Sequence, residues 1–252
     1  MIASLLIKLH EGEKLSSQEQ ELVHKTLQEK NVSLHEAVAL NLWSSNAPAI
    51  QEQLLCGNTY NYVSRTLETL ANQLWHLTPD GEEVRYVLEA LQNICYANTT
   101  LSELYEKGRS IALPGMTTSV LSAMRKIHIA VNAEDIAALI YAAMHKHPLK
   151  EEITVYRAIQ GKVIGPSVMN RGFVSTSLTK EDSFIKYPGY NVLFELKVPA
   201  ETHCIDVVPF SNYDTVENEI LLPPNIIEIQ EQTTDGHNIY VRGIVHEIKE
   251  FA

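Results

Sequence analysis

The spacing of hydrophobic residues divides the chain into two parts with different periods. In residues 1–149, apolar side chains recur every three or four positions, which is typical of the buried face of an amphipathic helix. Two such runs are Val84, Val87, Leu88 and Leu91, and Ile136, Leu139, Ile140 and Ala143. No repeat of fixed length accompanies them, so the pattern predicts an irregular helical lobe and not a solenoid.

Helix boundaries in this lobe are marked by short polar motifs. Ser16 and Ser33 are each followed three residues later by a glutamate, Glu19 and Glu36, which is the capping-box pattern of a helix start. Pro148 follows the last apolar run and predicts its end, because proline cannot continue a helix.

Beyond Lys150 the chain changes to short β-like runs separated by turn residues. We expect strands at 153–159, 172–177, 192–198, 203–208, 217–222, 226–230 and 239–248, with one helix at 180–186. The sequence therefore predicts an α+β protein, with a helical lobe at 1–149 and a β-rich domain at 150–252 joined by a tight connection.

Composition narrows the functional classes. The net charge of −11 argues against nucleic acid or an anionic membrane surface as the main partner, since both attract basic proteins. The three cysteines, Cys56, Cys95 and Cys204, are widely spaced, which favours free thiols over a disulfide framework. The start has no basic leader and no apolar run reaches 18 residues, so we expect a soluble product without a Sec signal.

The segment Glu217-Asn218-Glu219 is the first candidate for chemistry. On one strand, residues i and i+2 share a face and stand roughly 6 to 7 Å apart. Paired carboxylates suit cleavage of a glycosidic bond, although such a pair at a strand edge is more often a solvated face. A glycoside hydrolase normally places its two acids on opposite sides of the bond, which neighbours on one strand do not easily do.

Two upstream motifs change this interpretation. Val155-Tyr156-Arg157 ends an apolar run with an arginine, and Gly172 to Ser177 reads GFVSTS. Together with VLFELKVP and ENEILLPP, they resemble the arginine-serine-glutamate (cholera-toxin-like, E-x-E) class of mono-ADP-ribosyltransferases over about residues 152–248. The preceding helical lobe resembles the layout of bacterial effector enzymes, including the Legionella SidE-type domains.

The resemblance implies a two-sheet β-rich core that binds NAD as a substrate in a cleft, without a metal. It implies transfer of ADP-ribose to an arginine of a protein target, by an effector or toxin that acts in host cytoplasm. By the family pattern, Glu219 binds the ribose and stabilises its developing positive charge, Glu217 orients the arginine acceptor, and Ser175 holds Glu219. NAD glycohydrolysis and a non-catalytic binding module with this fold are the alternatives.

The same resemblance assigns NAD binding to further residues. Arg157 would clamp the pyrophosphate or the nicotinamide ribose, beside Ala158, where many relatives have glycine. Thr176 and Ser177 would shape the strand end. Two pairs of aromatic residues complete the implied site: Phe184 or Tyr187 for stacking on NAD, and Phe210 or Tyr213 for recognition of the target.

Overall fold

A computed structural model of the protein describes residues 2–57, 62–63, 65, 68–69, 103, 118–180, 189–212 and 218–249. Several predicted features lie outside these ranges, namely the apolar run at residues 84–91, Cys95, the helix predicted at 180–186 beyond its first residue, Phe184, Tyr187, Tyr213 and Glu217. The chain divides into two compact units, one formed by Met1–Ser45 and Ala137–Ala252 and the other by Asn46–Ile136. The predicted division at 149/150 lies shortly before the first strand, which begins at Ile153. As a domain boundary it remains a prediction.

The described helices follow the predicted boundaries where these can be compared. Their bounds are α1 Ala3–His10, α2 Ser17–Glu29, α3 Leu34–Cys56, α4 Thr118–Val131 and α5 Ala133–His145.

Both capping boxes form. The Glu19 amide donates to Ser16 Oγ over 3.3 Å while the Ser16 amide donates to the Glu19 carboxylate over 2.8 Å. The Ser33 and Glu36 pair repeats this exchange. These bonds satisfy amides that a helix start leaves unpaired, which is why α2 and α3 begin where they do.

Helix α3 is kinked inside its length. Asn46 has non-helical backbone angles (φ −137°, ψ 20°), and Pro48 follows two residues later. A proline inside a helix lacks the amide hydrogen and its ring clashes with the carbonyl four residues earlier, here that of Ser44. The kink is therefore attributable to Pro48.

None of the described helices alone combines the length and apolar composition needed to cross a bilayer. Leu121–Val131 and Ala133–His145, bent by 68° at the break between them, reach that composition only as a pair.

Within the described ranges, eight strands form one mixed sheet. They are β1 Ile153–Ile159, β2 Ser167–Asn170, β3 Val174–Ser177, β4 Val192–Val198, β5 Ile205–Asp206, β6 Glu219–Leu222, β7 Asn225–Thr234 and β8 Ile239–Glu247. Their order is β2-β7-β8-β4-β1-β3-β6-β5, and only β4 and β8 run parallel to each other. The α+β class predicted from the sequence is confirmed, and β2 is a strand that the pattern did not predict.

The junction between β1 and β3 is narrow. Seven residue pairs join β1 to β4, whereas Tyr156 and Ser177 are the single registered pair between β1 and β3. The expected two sheets are thus hydrogen bonded into one, as a five-stranded part and a three-stranded part that meet at one residue pair. Both parts contribute to one apolar core, through Val155, Phe194 and Leu196 on one side and Val174, Ile220 and Leu222 on the other.

Candidate active site

Arg157 lies near the end of β1, paired with Phe194 of β4. Alternation along β1 puts it on the same face as Val155, whose side chain is fully buried. The guanidinium Nη1 donates to the carbonyl oxygen of Ser175 over 3.4 Å. Burial lowers the pKa of Arg157, and the nearby Tyr190 opposes this shift. Among the described residues no carboxylate forms an ion pair with this cation, so its position favours an anionic ligand.

Strand β3 places the two serines of the STS motif beside β6. Ser177 pairs directly with Glu219, and Ser175 pairs with Leu221. Since directly opposed residues share a face, Ser175, Ser177 and Glu219 lie on the same side of this strand pair. Ser177 Oγ accepts the Thr179 amide over 3.1 Å, which engages it in the turn that follows β3. Ser175 is partly exposed and lies diagonally across from Glu219.

Thr176 occupies the opposite face of β3. Its side chain is buried, with an exposed fraction of 5%. The hydroxyl donates to the carbonyl oxygen of Ile220 over 2.7 Å, which ties β3 to the strand that carries Glu219. In this structure Thr176 therefore supports the site from inside the core, whereas the NAD-binding role predicted for it stays a prediction.

The strand that carries the paired glutamates is shorter than predicted. It begins at Glu219 and not at Glu217. Asn218 has a φ of 39°, in the left-handed region that asparagine tolerates better than most residues. The strand prediction for 217–222 was wrong at this point, because left-handed backbone interrupts the alternation on which it relied. Strand spacing consequently does not determine the relation of Glu217 to Glu219.

Ala158 follows Arg157 inside β1 and pairs with Leu193 of β4. Its backbone is therefore extended, and the strand needs no glycine at this position. Its methyl group is accommodated within regular sheet geometry.

Phe210 differs from its predicted role. It ends a short 3-10 helix, η1, at Val208–Phe210, and its exposed fraction is 1%. The sequence placed it in a loop that contacts a protein target, but a buried side chain contacts its own fold. Burial of an aromatic ring is strongly favourable, and in this structure it makes Phe210 a packing residue.

Asn41, on α3, holds the segment around Phe210 in place, and the sequence analysis did not identify it. Asn41 is buried, with 1% of its surface exposed. Its side-chain amide donates to the Phe210 carbonyl over 2.7 Å and to Asn212 Oδ1 over 2.9 Å. The polar residue at an otherwise apolar helix face was the available signal, but its partners are far away in sequence.

A polar row continues across the sheet from the candidate site. Tyr156 pairs with Ser177 on one side and with Glu195 on the other. Glu195 accepts an ion pair from Arg242 over 3.3 Å, and Arg242 also contacts Glu231 over 3.0 Å. These exposed charges satisfy one another, so the row beyond Tyr156 is a solvated sheet face.

Within the described ranges, no group of three or more histidine, cysteine, aspartate or glutamate side chains is arranged to hold a metal ion. The described part of the candidate site thus contains the guanidinium of Arg157, the hydroxyls of Ser175 and Ser177, and the carboxylate of Glu219.

Comparisons with known proteins bear on the same region. Residues 121–242 match the profile of the family described as ADP-ribosyltransferase exoenzyme. No curated protein matches the chain. Three solved structures are similar to this chain at low sequence identity. The C3 exoenzyme of Clostridium limosum is 14% identical, with a TM-score of 0.49 over 90% of this chain and 93% of that one.

The other two structures contain bound ligands. C3stau2 from S. aureus with NAD is 14% identical, with a TM-score of 0.39 over 46% of this chain and 72% of that one. The ADP-ribosyltransferase Vis in complex with agmatine is 18% identical, with a TM-score of 0.38 over 76% and 88%. The matched range includes Arg157, Ser175 and Glu219. Residues 121–242 of this chain are therefore similar to the ADP-ribosyltransferase exoenzyme family, and the candidate site lies within the similar region.

Proposed function

We propose that the chain transfers ADP-ribose from NAD to an arginine side chain of a target protein and releases nicotinamide. The observation that carries this proposal is the partly buried guanidinium of Arg157, which contacts the Ser175 backbone and has no ion-pair partner among the described carboxylates. A buried cation without a counterion is costly, and a phosphate of NAD would offset that cost.

Glu219 lies on the strand next to the one that Arg157 contacts. When the bond between ribose C1′ and the nicotinamide nitrogen breaks, nicotinamide leaves with the electron pair and the ribose becomes cationic. A fixed carboxylate next to that sugar stabilises the developing charge, an effect worth several kcal/mol where water is excluded. Glu219 takes this role in the proposal.

The acceptor nitrogen must lose a proton as it bonds to C1′. A guanidinium is almost always protonated in water, so an arginine acceptor needs a carboxylate to receive that proton. Glu217 takes this second role, and Ser175 holds the Glu219 side chain through a hydrogen bond. The arginine, serine and glutamate of the class are then Arg157, Ser175 and Glu219, with the Ala158 backbone beside nicotinamide.

The first experiment compares the unmodified protein with Glu219→Gln, which removes the charge but preserves the size of the side chain. Incubation with labelled NAD and agmatine, a free guanidine, should give labelled agmatine with the unmodified protein and at least a hundredfold less with Glu219→Gln. Exposed Glu201→Gln, on the turn after β4, is the matched control and should react normally. Equal labelling by Glu219→Gln would disprove the assigned role.

NAD hydrolysis with water as acceptor is the second candidate activity. Glu217→Gln separates the two, because this change removes the proton acceptor needed by arginine while Glu219 stays in place. We expect transfer to agmatine to fall strongly and nicotinamide release to persist. Nicotinamide release that does not respond to agmatine in the unmodified protein would favour hydrolysis as the main activity.

A non-catalytic binding module is the alternative from another class. Calorimetric titration with NAD decides it, since such a module without an NAD site would release no heat. The finer proposals concern the cell: an exported effector or toxin, related to the SidE-type layout, that modifies a host protein in the cytoplasm through the domain at 150–252. Mass-spectrometric mapping of ADP-ribose in host cells that express the chain would identify both target and residue.

A further inference from the structure

We infer that Asn41 is a positioning residue for Glu219, acting through η1. This inference rests on the proposed function for its meaning, but its contacts are all within one compact unit. Asn41 lies on α3, and its side chain is buried between that helix and the chain segment that precedes the paired glutamates.

The first link is a hydrogen bond from the Asn41 amide to the Phe210 carbonyl, at 2.7 Å. A longer contact of 3.5 Å reaches the Ala3 carbonyl of α1. Because both partners are carbonyl oxygens, which only accept, the side-chain nitrogen of Asn41 must face them. Its orientation is therefore determined by chemistry, and an aspartate of the same shape could not replace it.

The next links are in the backbone. The Phe210 amide donates to the Val207 carbonyl over 2.9 Å, and the Val207 amide donates to the Glu219 carbonyl over 3.1 Å. Val207 and Phe210 are both buried, at 0% and 1% exposed. The hydrogen bonds thus run from Asn41 through η1 to the backbone of the proposed catalytic carboxylate, without a gap and without a solvent-exposed link.

The edge strand β5 stops short of Glu219 on this side of β6. The three-stranded part of the sheet ends at β5, which is two residues long and pairs with β6 at Leu221 and Ile220 only. Glu219 itself is held on this side by the Val207 amide. Loss of the Asn41 hydrogen bond would therefore loosen the segment that holds Glu219 at the start of β6. A small displacement of a catalytic group lowers the reaction rate strongly.

The test uses Asn41→Leu, which removes the amide at similar size, and Asn225→Leu as the matched control. Asn225 is also fully buried and donates to a backbone carbonyl, that of Pro223 over 2.6 Å, but its bonds do not include η1. We expect Asn41→Leu to lower kcat for NAD cleavage at least about tenfold with KM for NAD within about twofold. Asn225→Leu should lower thermal stability comparably and change kcat by less than about twofold.

A second measurement is independent of activity. Hydrogen exchange at the Val207 amide should become at least about tenfold faster in Asn41→Leu and stay unchanged in Asn225→Leu. If Asn41→Leu does not fold, Asn41→Gln retains the amide but displaces it by one methylene, and both measurements apply to it.

Two results would overturn the inference: unchanged exchange at Val207, or a kcat for the Asn41 variant equal to that of the Asn225 variant. An unmodified protein that cleaves no NAD would contradict the proposed function alone, because the exchange measurement still decides the link between Asn41 and Val207.

Discussion

Ser177 lies directly opposite Glu219 across the β3–β6 pair, while Ser175 lies diagonally across from the same glutamate. Directly opposed side chains start about 5 Å apart, and diagonal ones about 7 Å, still within reach of a long side chain. Ser177 already accepts the Thr179 amide. The hydroxyls of Ser175 and Ser177 therefore have different roles, although the two serines are equivalent in the sequence motif.

The serines yield the first prediction. Ser175→Ala should lower kcat for NAD cleavage about tenfold, because the Glu219 carboxylate loses the hydroxyl proposed to hold it. Ser177→Ala should instead release the turn after β3 and raise KM for NAD more than it lowers kcat. Steady-state kinetics of both variants check this, and the reverse assignment of kcat and KM effects would contradict it.

The second prediction concerns the unpaired cation. Arg157→Met replaces a partly buried guanidinium by an apolar side chain of comparable length. Since an unpaired buried charge destabilises a fold, the variant should unfold at the same or a higher temperature than the unmodified protein. NAD binding should be lost, because the anion partner is gone.

Thermal unfolding and calorimetric titration with NAD measure the two effects separately. Arg171→Met is the control, since Arg171 is exposed and precedes β3. It should retain NAD binding. A clear loss of stability in Arg157→Met would show that the guanidinium already has a counterion in the free protein.

The strands that carry the site could be predicted because they alternate or are continuously apolar. Arg157, Ser175 and Glu219 fall in β1, β3 and β6 as the motifs indicated. Their register could not be predicted, since it is determined by pairing between strands that are distant in sequence. The hydrophobic pattern also could not show that Asn218 has a left-handed backbone, because that conformation depends on the geometry of the turn before the strand.

Residues outside the motifs were the harder part. Asn41 and Phe210 are 169 positions apart, and only the folded chain brings the amide and the carbonyl together. In the sequence Asn41 is one polar residue on an apolar helix face, and Phe210 is one aromatic residue in a loop-like segment. Loop aromatics are reasonable candidates for recognition, but burial depends on what packs over them, which no local pattern contains.

The third prediction concerns Phe173, the residue before β3. Its ring contacts Trp43 edge-on, with centroids 5.3 Å apart, and lies 5.0 Å from the Tyr141 ring. Phe173→Ala should cost about 3 kcal/mol in the free energy of unfolding, because it removes buried aromatic contacts and leaves a cavity. Urea denaturation measures this.

Ile164→Ala is the control for that measurement, because Ile164 is 84% exposed. Its change should stay within about 0.5 kcal/mol. A similar small change for Phe173→Ala would mean that the three rings do not contribute to the stability of the fold.

The fourth prediction is a pH dependence of stability at the start of α3. Burial alone would raise the pKa of Glu36, but Lys146 Nζ at 2.7 Å and hydrogen bonds from Ser33 outweigh it and lower the pKa below its usual 4.5. A carboxylate with a lowered folded pKa stabilises the fold fully above the unfolded pKa, and this contribution is lost as the pH falls through the folded pKa. Glu36→Gln should therefore lose less stability than the unmodified protein between pH 7 and pH 3, measured by urea denaturation across that range.

Exposed Glu29→Gln, which removes a long ion pair of 3.9 Å with Lys25, is the control and should retain the acid sensitivity of the unmodified protein. Equal acid sensitivity in all three proteins would show that Glu36 titrates alike in the folded and unfolded states.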